Sequence, residues 1–304
     1  MKYKGIYAER PALFQLFILL LLLSMGSLFS SVIGMALLFI CLGRDAVLSQ
    51  HPDMMRLLQL ISALGTFLFP ALGLAWLCSK QMKKYLYIEK VPNLPTLAYT
   101  LFSMLLLMPA INVIGLLNRT IKFPEWMAPI ENWMRAQEAL AEQLTESLLS
   151  GDGVFTLAAN LIVVAITAGV TEEFLFRGAL QRLLRKWSSN HHVVIWSAAF
   201  LFSAFHLQFF GFIPRWLLGA YFGYLLYWGR SIWIPVFAHF TNNAIAVIGM
   251  SSSQLKDNEY INGNISDHEL WGYSTFALAS LLVFCLTIIQ FKKHLTTKSN
   301  NTAF

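Results

Sequence analysis

The stretch Val154–Leu180 reads "VFTLAANLIVVAITAGVTEEFLFRGAL" and places three charges, Glu172, Glu173 and Arg177, in an otherwise apolar run. The run is long enough to cross a bilayer as one helix. A charged side chain at bilayer depth costs about 3 kcal/mol even on lenient insertion scales. These three side chains therefore need a buried environment made by the protein, and such intramembrane charges are usually functional.

The composition of the whole chain extends this conclusion to the fold. Of its 304 residues, 57% are hydrophobic and 12% are charged, against about a quarter charged in soluble domains. Membrane-spanning segments are helices or closed barrels, and the apolar runs here are continuous rather than alternating, which indicates helices. We predict an all-α, polytopic transmembrane helix bundle with about eight spans. The predicted spans are 12–42, 57–78, 97–117, 154–181, 193–212, 216–228, 232–250 and 270–290.

Loop charges predict the orientation of these spans. With the N-terminus in the cytoplasm, the inside segments carry most of the Lys and Arg residues, and the long outside loops 118–153 and 251–269 are net acidic. This asymmetry places both termini in the cytoplasm. The net charge of +6 then describes a basic face that attracts anionic membrane lipid, so we expect no nucleic-acid partner. The first span is too long for a cleavable signal peptide and is expected to remain as an anchor.

Three regions follow from this organisation. Residues 1–153 hold N-terminal transmembrane helices and an amphipathic segment, 125–150, which we expect to be a solvated helix on the outer side. Residues 154–250 form the core that carries the polar residues. Residues 251–304 form an outer loop, the last transmembrane helix and a cytoplasmic tail.

Helical spacing separates the roles of the two glutamates. Glu173 and Arg177 are four residues apart and can pair on one face, whereas Glu172 points about 100° away from Glu173. The pair would neutralise Glu173 and leave Glu172 free for another task. A purely stabilising ion-pair cluster between helices is the alternative.

Two later spans carry the other polar candidates. His206 lies in "WSAAFLFSAFHLQFFGF", where we place it at the centre of the span, and His239 and Asn243 share a face of "IWIPVFAHFTNNAIAVIGM". Each could be a hydrogen-bonded residue that holds packed helices together. Counted from the cytoplasmic ends, however, these residues and Glu172 lie at similar depths, roughly 14 to 20 Å. Two Glu, two His and an Asn from three helices can form an acid–base site.

The motifs "EEFLFR", "FSAFH" and "HFTNN" fit EExxxR, FxxxH and HxxxN in that order. Over about 154–250 the chain resembles the CPBP family of intramembrane proteases, the CAAX-protease and bacteriocin-processing family, also called Abi. The resemblance implies that Glu172 activates the attacking water with His206 as its partner. It also implies that His239 and Asn243 stabilise the oxyanion, while Glu173 and Arg177 support the site.

A metal site stays open at this stage. Glu172, His206 and His239 could bind a zinc-like divalent metal with an open position. The chain has no HExxH motif, and an Asn amide is a poor zinc ligand. A glutamate-dependent mechanism without any cofactor is therefore the other interpretation.

The predicted function is an intramembrane endopeptidase that cleaves a protein or peptide substrate, prenylated or not, near the cytoplasmic membrane face. A non-catalytic membrane scaffold or immunity protein on the same fold is one alternative. A proton-coupled transporter is another, although no inverted repeat supports it. The expected location is the inner (plasma) membrane of a bacterium.

Overall fold

Helices make up all the regular structure in the described part of the chain. The computed structural model describes residues 3–44, 47–251, 265 and 269–301, with the backbone alone described for 297–301. Single helical turns at Leu48–Gln50, Met82–Tyr85 and Glu125–Met127 accompany nine longer helices in these ranges. The longer helices are α1 (Ala12–Leu42), α2 (Pro52–Cys78), α3 (Leu94–Arg119), α4 (Ala128–Leu149), α5 (Val154–Leu184), α6 (His191–Phe205), α7 (Phe212–Gly229), α8 (Trp233–Ser251) and α9 (Leu270–Asn301). The predicted all-α class is confirmed.

Membrane-spanning character is clear for part of this set. Five helices, α1, α2, α3, α5 and α9, are long and apolar enough to cross a membrane, and α6 is a shorter apolar helix. Because these helices also expose large apolar side chains, such as Leu13 and Leu286, the chain is a helical integral membrane protein. The number of eight spans stays a prediction.

Two of the long helices are locally wound as π-helix. In α2 this segment is Leu64–Leu68, and in α5 the segments are Leu161–Thr167 and Phe174–Leu180. The Thr167 hydroxyl donates to the carbonyl of Ile162 at 2.8 Å, which satisfies one acceptor that the wider winding displaces. Such segments change which side chains share a face, and they occur frequently at functional sites.

The bundle has two packed halves that meet at α5 and α8. One apolar core joins α1, α2 and α5, and a second joins α3, α7, α8 and α9. Helix α8 packs along α5, and α6 packs along α7. The polar residues of α5 therefore face helices from both halves.

Both described terminal regions lie at the same end of the bundle. Gln15 accepts from Lys186 Nζ at 2.8 Å, which joins the start of α1 to the residues after α5. Residues near the start of α3 complete this end, since Tyr85 accepts from Arg182 Nη1 at 2.8 Å and Thr96 lies 3.2 Å from His294 of α9. The side of the membrane that this end faces stays a prediction.

One predicted span boundary is wrong. The sequence placed a single helix over 193–212, but α6 ends at Phe205 and α7 begins at Phe212. Leu207 takes a left-handed conformation, with φ of 54°, which stops the helix. The turn is rich in apolar residues, so hydropathy alone did not reveal it. The outer loop predicted at 251–269 lies largely outside the described residues.

The amphipathic segment 125–150 forms a helix as predicted, namely α4 after a single turn. It covers the turn between α6 and α7, with Trp133 packing on Phe209 at 5.6 Å and Arg135 lying 4.4 Å from the Phe210 ring centroid. The Phe123 N–H and the Arg135 guanidinium both donate to Glu131 and lower the pKa of its carboxyl. Helix α4 is thus fixed against the core rather than freely solvated along its whole length.

Close helix contact in the first half gives a prediction. A Cβ at Gly26 would lie 2.0 Å from the Gly65 carbonyl oxygen, whereas one at Gly272 meets no heavy atom of the described residues within 4 Å. We expect Gly26→Ala to lower the unfolding free energy by about 1 to 3 kcal/mol because α1 and α2 must separate. Gly272→Ala, the matched control, should be neutral or slightly stabilising. Thermal unfolding in detergent measures both, and equal behaviour of the two variants would contradict the packing described.

Candidate active site

The charged residues of α5 form a buried ion pair. Arg177 Nη1 lies 2.9 Å from Glu173 Oε1, and the two side chains are 1% and 0% exposed. Arg177 also donates to the Gly219 carbonyl at 3.0 Å, and its guanidinium carbon lies 4.3 Å from the Phe202 ring centroid. The predicted pairing is confirmed. The same arginine also ties α5 to α6 and α7.

His239 of α8 joins the same carboxylate. Its Nδ1 lies 2.8 Å from Glu173 Oε1, and its ring stacks on Phe222 with 5.3 Å between centroids. A carboxylate on one ring nitrogen fixes the orientation of an imidazole and directs the other nitrogen outward. The sequence assigned Glu173 to Arg177 alone, and it could not show this contact because 66 positions separate the partners.

Glu172 faces both histidines. Its Oε2 lies 3.7 Å from His206 Nε2 and 3.9 Å from His239 Nε2. This oxygen is buried and forms no hydrogen bond with the described residues. Residues from α5, α8 and the end of α6 therefore converge on one small polar space, as the depth calculation from the sequence anticipated.

The position of His206 corrects one expectation. We placed it at the centre of a span, but it follows the last residue of α6 as the helix cap. Its Nδ1 lies 2.9 Å from the Phe202 carbonyl oxygen, and because a carbonyl only accepts, Nδ1 carries the hydrogen of this bond. Neutral His206 thus presents the lone pair of Nε2 towards Glu172.

Asn243 lies one turn beyond His239 and is engaged elsewhere. Its amide nitrogen donates to the Val164 carbonyl at 2.9 Å, and its amide oxygen accepts from Asn242 at 3.1 Å. Val164 belongs to a π-helical segment of α5, so Asn243 connects α8 to this irregular backbone. An amide nitrogen has two hydrogens, which leaves one for another acceptor.

Arg215, in the first turn of α7, adds a charge that was not among the candidate site residues from the sequence. It donates to Gln208 Oε1 at 2.7 Å, and its Nη1 is buried with no hydrogen-bond partner among the described residues. The guanidinium interacts electrostatically with Glu172 and with Glu138 of α4. The polar space therefore has a cationic group on the side covered by α4.

The metal question stays open in the structure. Within the described ranges, no group of three His, Cys, Asp or Glu side chains is placed to hold a metal ion. The metal set from the sequence, Glu172, His206 and His239, stays a prediction. The separations of 3.7 and 3.9 Å within this set also suit hydrogen bonds through a water molecule.

Comparison with known proteins agrees with the motifs. Residues 154–245 match the family model "Type II CAAX prenyl endopeptidase Rce1-like". The match confirms the family resemblance predicted from EExxxR, FxxxH and HxxxN, and it contains every residue of the polar space described above. It supports a peptidase of the CAAX type in a helical membrane protein.

A relative and the solved structures add less. YpbD, an uncharacterized protein of Bacillus subtilis (strain 168), is 28% identical over 93 residues, which represent 28% of this chain and 43% of that protein. The chain therefore covers less than half of this relative's length. No solved structure gives a significant match.

The buried pair yields a stability prediction. Arg177→Met leaves Glu173 as a buried carboxylate without its cation, and we expect the unfolding free energy to fall by about 3 kcal/mol. Adding Glu173→Gln to this variant should restore part of the loss, because the uncompensated charge is removed. Detergent-based chemical unfolding measures these changes.

The control for this series is the half-exposed pair of α4. Arg135 and Glu131 have the same spacing of four residues and a separation of 2.7 Å. Because solvent screens this pair, Arg135→Met should cost much less stability than Arg177→Met. A loss in Arg177→Met no greater than in Arg135→Met would contradict the role given to the buried pair.

Proposed function

We propose that this protein is an intramembrane endopeptidase in which Glu172 activates the attacking water. The observation that carries the proposal is the placement of Glu172 Oε2 between two imidazole nitrogens, 3.7 and 3.9 Å away, in a buried space. The Rce1-like match over the same residues supports peptide-bond hydrolysis as the chemistry.

The spacing suits a bound water. The proposed step requires Glu172 to be ionised. The Glu172 carboxylate and the Nε2 of neutral His206 then both present acceptors, and two acceptors 3.7 Å apart can each receive one hydrogen of the same water molecule. The oxygen lone pair then points away from both groups and towards a substrate carbonyl. As the oxygen attacks, its proton moves to Glu172, which later delivers it to the leaving amine.

His239 is suited to stabilise the negative charge that forms on the carbonyl oxygen. With Nδ1 directed to Glu173, Nε2 of His239 faces the site, and in the imidazolium form its N–H can donate to the oxyanion. The second amide hydrogen of Asn243 can add another donor. Arg177 holds the Glu173 carboxylate in place through the 2.9 Å contact, so it acts as a positioning residue.

The substrate is a protein or peptide that reaches the site within the membrane, and prenylation of that substrate is left to experiment. We further propose that the chain spans the membrane eight times. The five long apolar helices would be joined by α6, α7 and α8, and both termini would lie in the cytoplasm. The proposed location is a bacterial inner membrane. Cleavage near its cytoplasmic face stays a prediction from the sequence, since α4 and the end of α6 place the polar space away from the end that holds the termini. A non-catalytic scaffold or immunity protein would use the same fold without hydrolysis.

The central test is the isosteric variant Glu172→Gln. We expect its cleavage rate to fall by about 10²- to 10⁴-fold, the usual contribution of a general base, with thermal stability retained. Purified protein in nanodiscs would be offered prenylated and unprenylated peptide libraries, with mass spectrometry of products and metal analysis of the same sample.

The matched control is Glu142→Gln, which changes an exposed acid of α4 and should leave the rate unchanged. Cleavage that survives Glu172→Gln would overturn the mechanism. Proton-coupled flux without proteolysis would favour a transporter, and a folded protein that cleaves no peptide would favour the scaffold.

Orientation has its own test. In a chain freed of native cysteines, a cysteine at Ser189 should react with an impermeant thiol reagent only from the cytoplasmic side. A cysteine at Thr120 should react only from the opposite side, because α3 ends there. Labelling of whole cells and of inverted vesicles distinguishes these outcomes, and reversed labelling would refute the proposed topology.

A further inference from the structure

A cluster of cationic side chains surrounds a cavity at the end of the bundle that holds the termini. Arg182 and Arg185 come from the end of α5, His191 begins α6, and Arg230 follows α7. The cavity has a volume of about 20 Å³, comparable with the space that one water molecule needs. Its floor includes Arg177 and Gln181, so it lies below the polar space of the candidate active site.

One aromatic ring, Tyr227, contacts three of these side chains. His191 stacks on Tyr227 at 4.3 Å with an interplanar angle of 4°, and the guanidinium carbons of Arg185 and Arg230 lie 5.8 and 5.9 Å from the same ring centroid. Cation–π attraction at these distances offsets part of the repulsion between the side chains. Tyr227 thus contacts side chains from three segments, namely the guanidinium groups of Arg185 and Arg230 and the ring of His191.

Among the described residues, none that lines the cavity is acidic. Within the described ranges, none of these arginines nor His191 forms an ion pair with a carboxylate. His191 also interacts electrostatically with Arg185, His192 and Lys292 of α9. Positive charge from the arginines that follow α5 and α7 and from Lys292 of α9 therefore accumulates at one place without a described carboxylate beside it, and an anion would compensate it.

The start of α6 strengthens this preference for an anion. Its N-cap, Asn190, accepts from the His192 N–H at 2.9 Å, and the other N–H groups of the first turn point towards the basic end. The helix macrodipole adds partial positive charge at the same place. The charged side chains around Tyr227 and the start of α6 therefore both favour an anionic ligand.

We propose that this cluster binds the phosphate of an anionic phospholipid headgroup. The surface beside it is apolar and exposed, with Val193 of α6 at 52% and Ile289 of α9 at 54% exposure, which suits acyl chains. Lys292 lies 5.9 Å from the Trp228 ring centroid, and such aromatic and basic pairs are typical of the headgroup level. The cavity is too small for a chain, so the lipid tails lie outside along the helices.

The test is a titration of anionic lipid. Full-length protein in phosphatidylcholine nanodiscs would receive increasing phosphatidylglycerol, with bound lipid counted by native mass spectrometry after release. We expect Arg185→Gln/Arg230→Gln to weaken phosphatidylglycerol binding at least tenfold. The charge-matched control is Lys83→Gln/Lys293→Gln, which removes two exposed bases and should weaken binding less than twofold.

Further arms make the result decisive. Arg185→Lys/Arg230→Lys keeps the charge and should retain most of the lipid binding. Thermal unfolding of each variant is measured as well, so that a loss of lipid binding can be distinguished from misfolding. Equal weakening in the glutamine and control pairs would overturn the proposal, because it would show a diffuse surface charge. Displacement of the lipid by millimolar inorganic phosphate, or by an acidic peptide, would overturn it in favour of a soluble anion or a peptide.

Discussion

The convergence of two donors on one buried carboxylate oxygen is the interaction on which the rest of this structure depends. Glu173 Oε1 lies 2.9 Å from Arg177 Nη1 and 2.8 Å from His239 Nδ1. In a low-dielectric interior such charges are tolerated only when they are paired and hydrogen-bonded. Since Arg177 also donates to the Gly219 carbonyl of α7, the network fixes α5, α7 and α8 relative to one another.

The catalytic arrangement proposed for Glu172 follows from this network. Glu172, about 100° from Glu173 around α5, faces the Nε2 atoms of His239 and His206, while Glu173 holds the Nδ1 of His239. Phe202 supports both sides of the arrangement, because its ring lies under Arg177 and its carbonyl oxygen orients His206. Two neighbouring residues of α5 thus have different roles. Glu173 belongs to a structural ion-pair cluster, and Glu172 brings a carboxylate oxygen without a described hydrogen-bond partner into the polar space.

The two ends of this space differ in chemistry. On one side, α4 and the turn between α6 and α7 cover it, with the partly unsatisfied Arg215 close by. On the other side, below Arg177, the basic cluster around Tyr227 reaches the end of the bundle. The proposed lipid site and the proposed active site therefore share the last turns of α5, where Arg177 and Gln181 separate them.

The sequence by itself determined the helical membrane fold, the three polar motifs and the pairing of Glu173 with Arg177. Continuous apolar runs and the i, i+4 spacing depend on local geometry, which a chain carries in its order of residues. The helix break after Phe205 was not visible, because a left-handed Leu207 in an apolar turn has no compositional signal.

The tertiary structure alone decided how the motifs meet. It placed His239 on Glu173, directed the Asn243 amide to Val164, and gathered the cations around Tyr227. These contacts join residues far apart in the chain, and they depend on helix rotation and on π-helical segments that shift the faces of α5. Periodicity predicts which residues share a helix face, whereas packing between helices determines which faces come into contact.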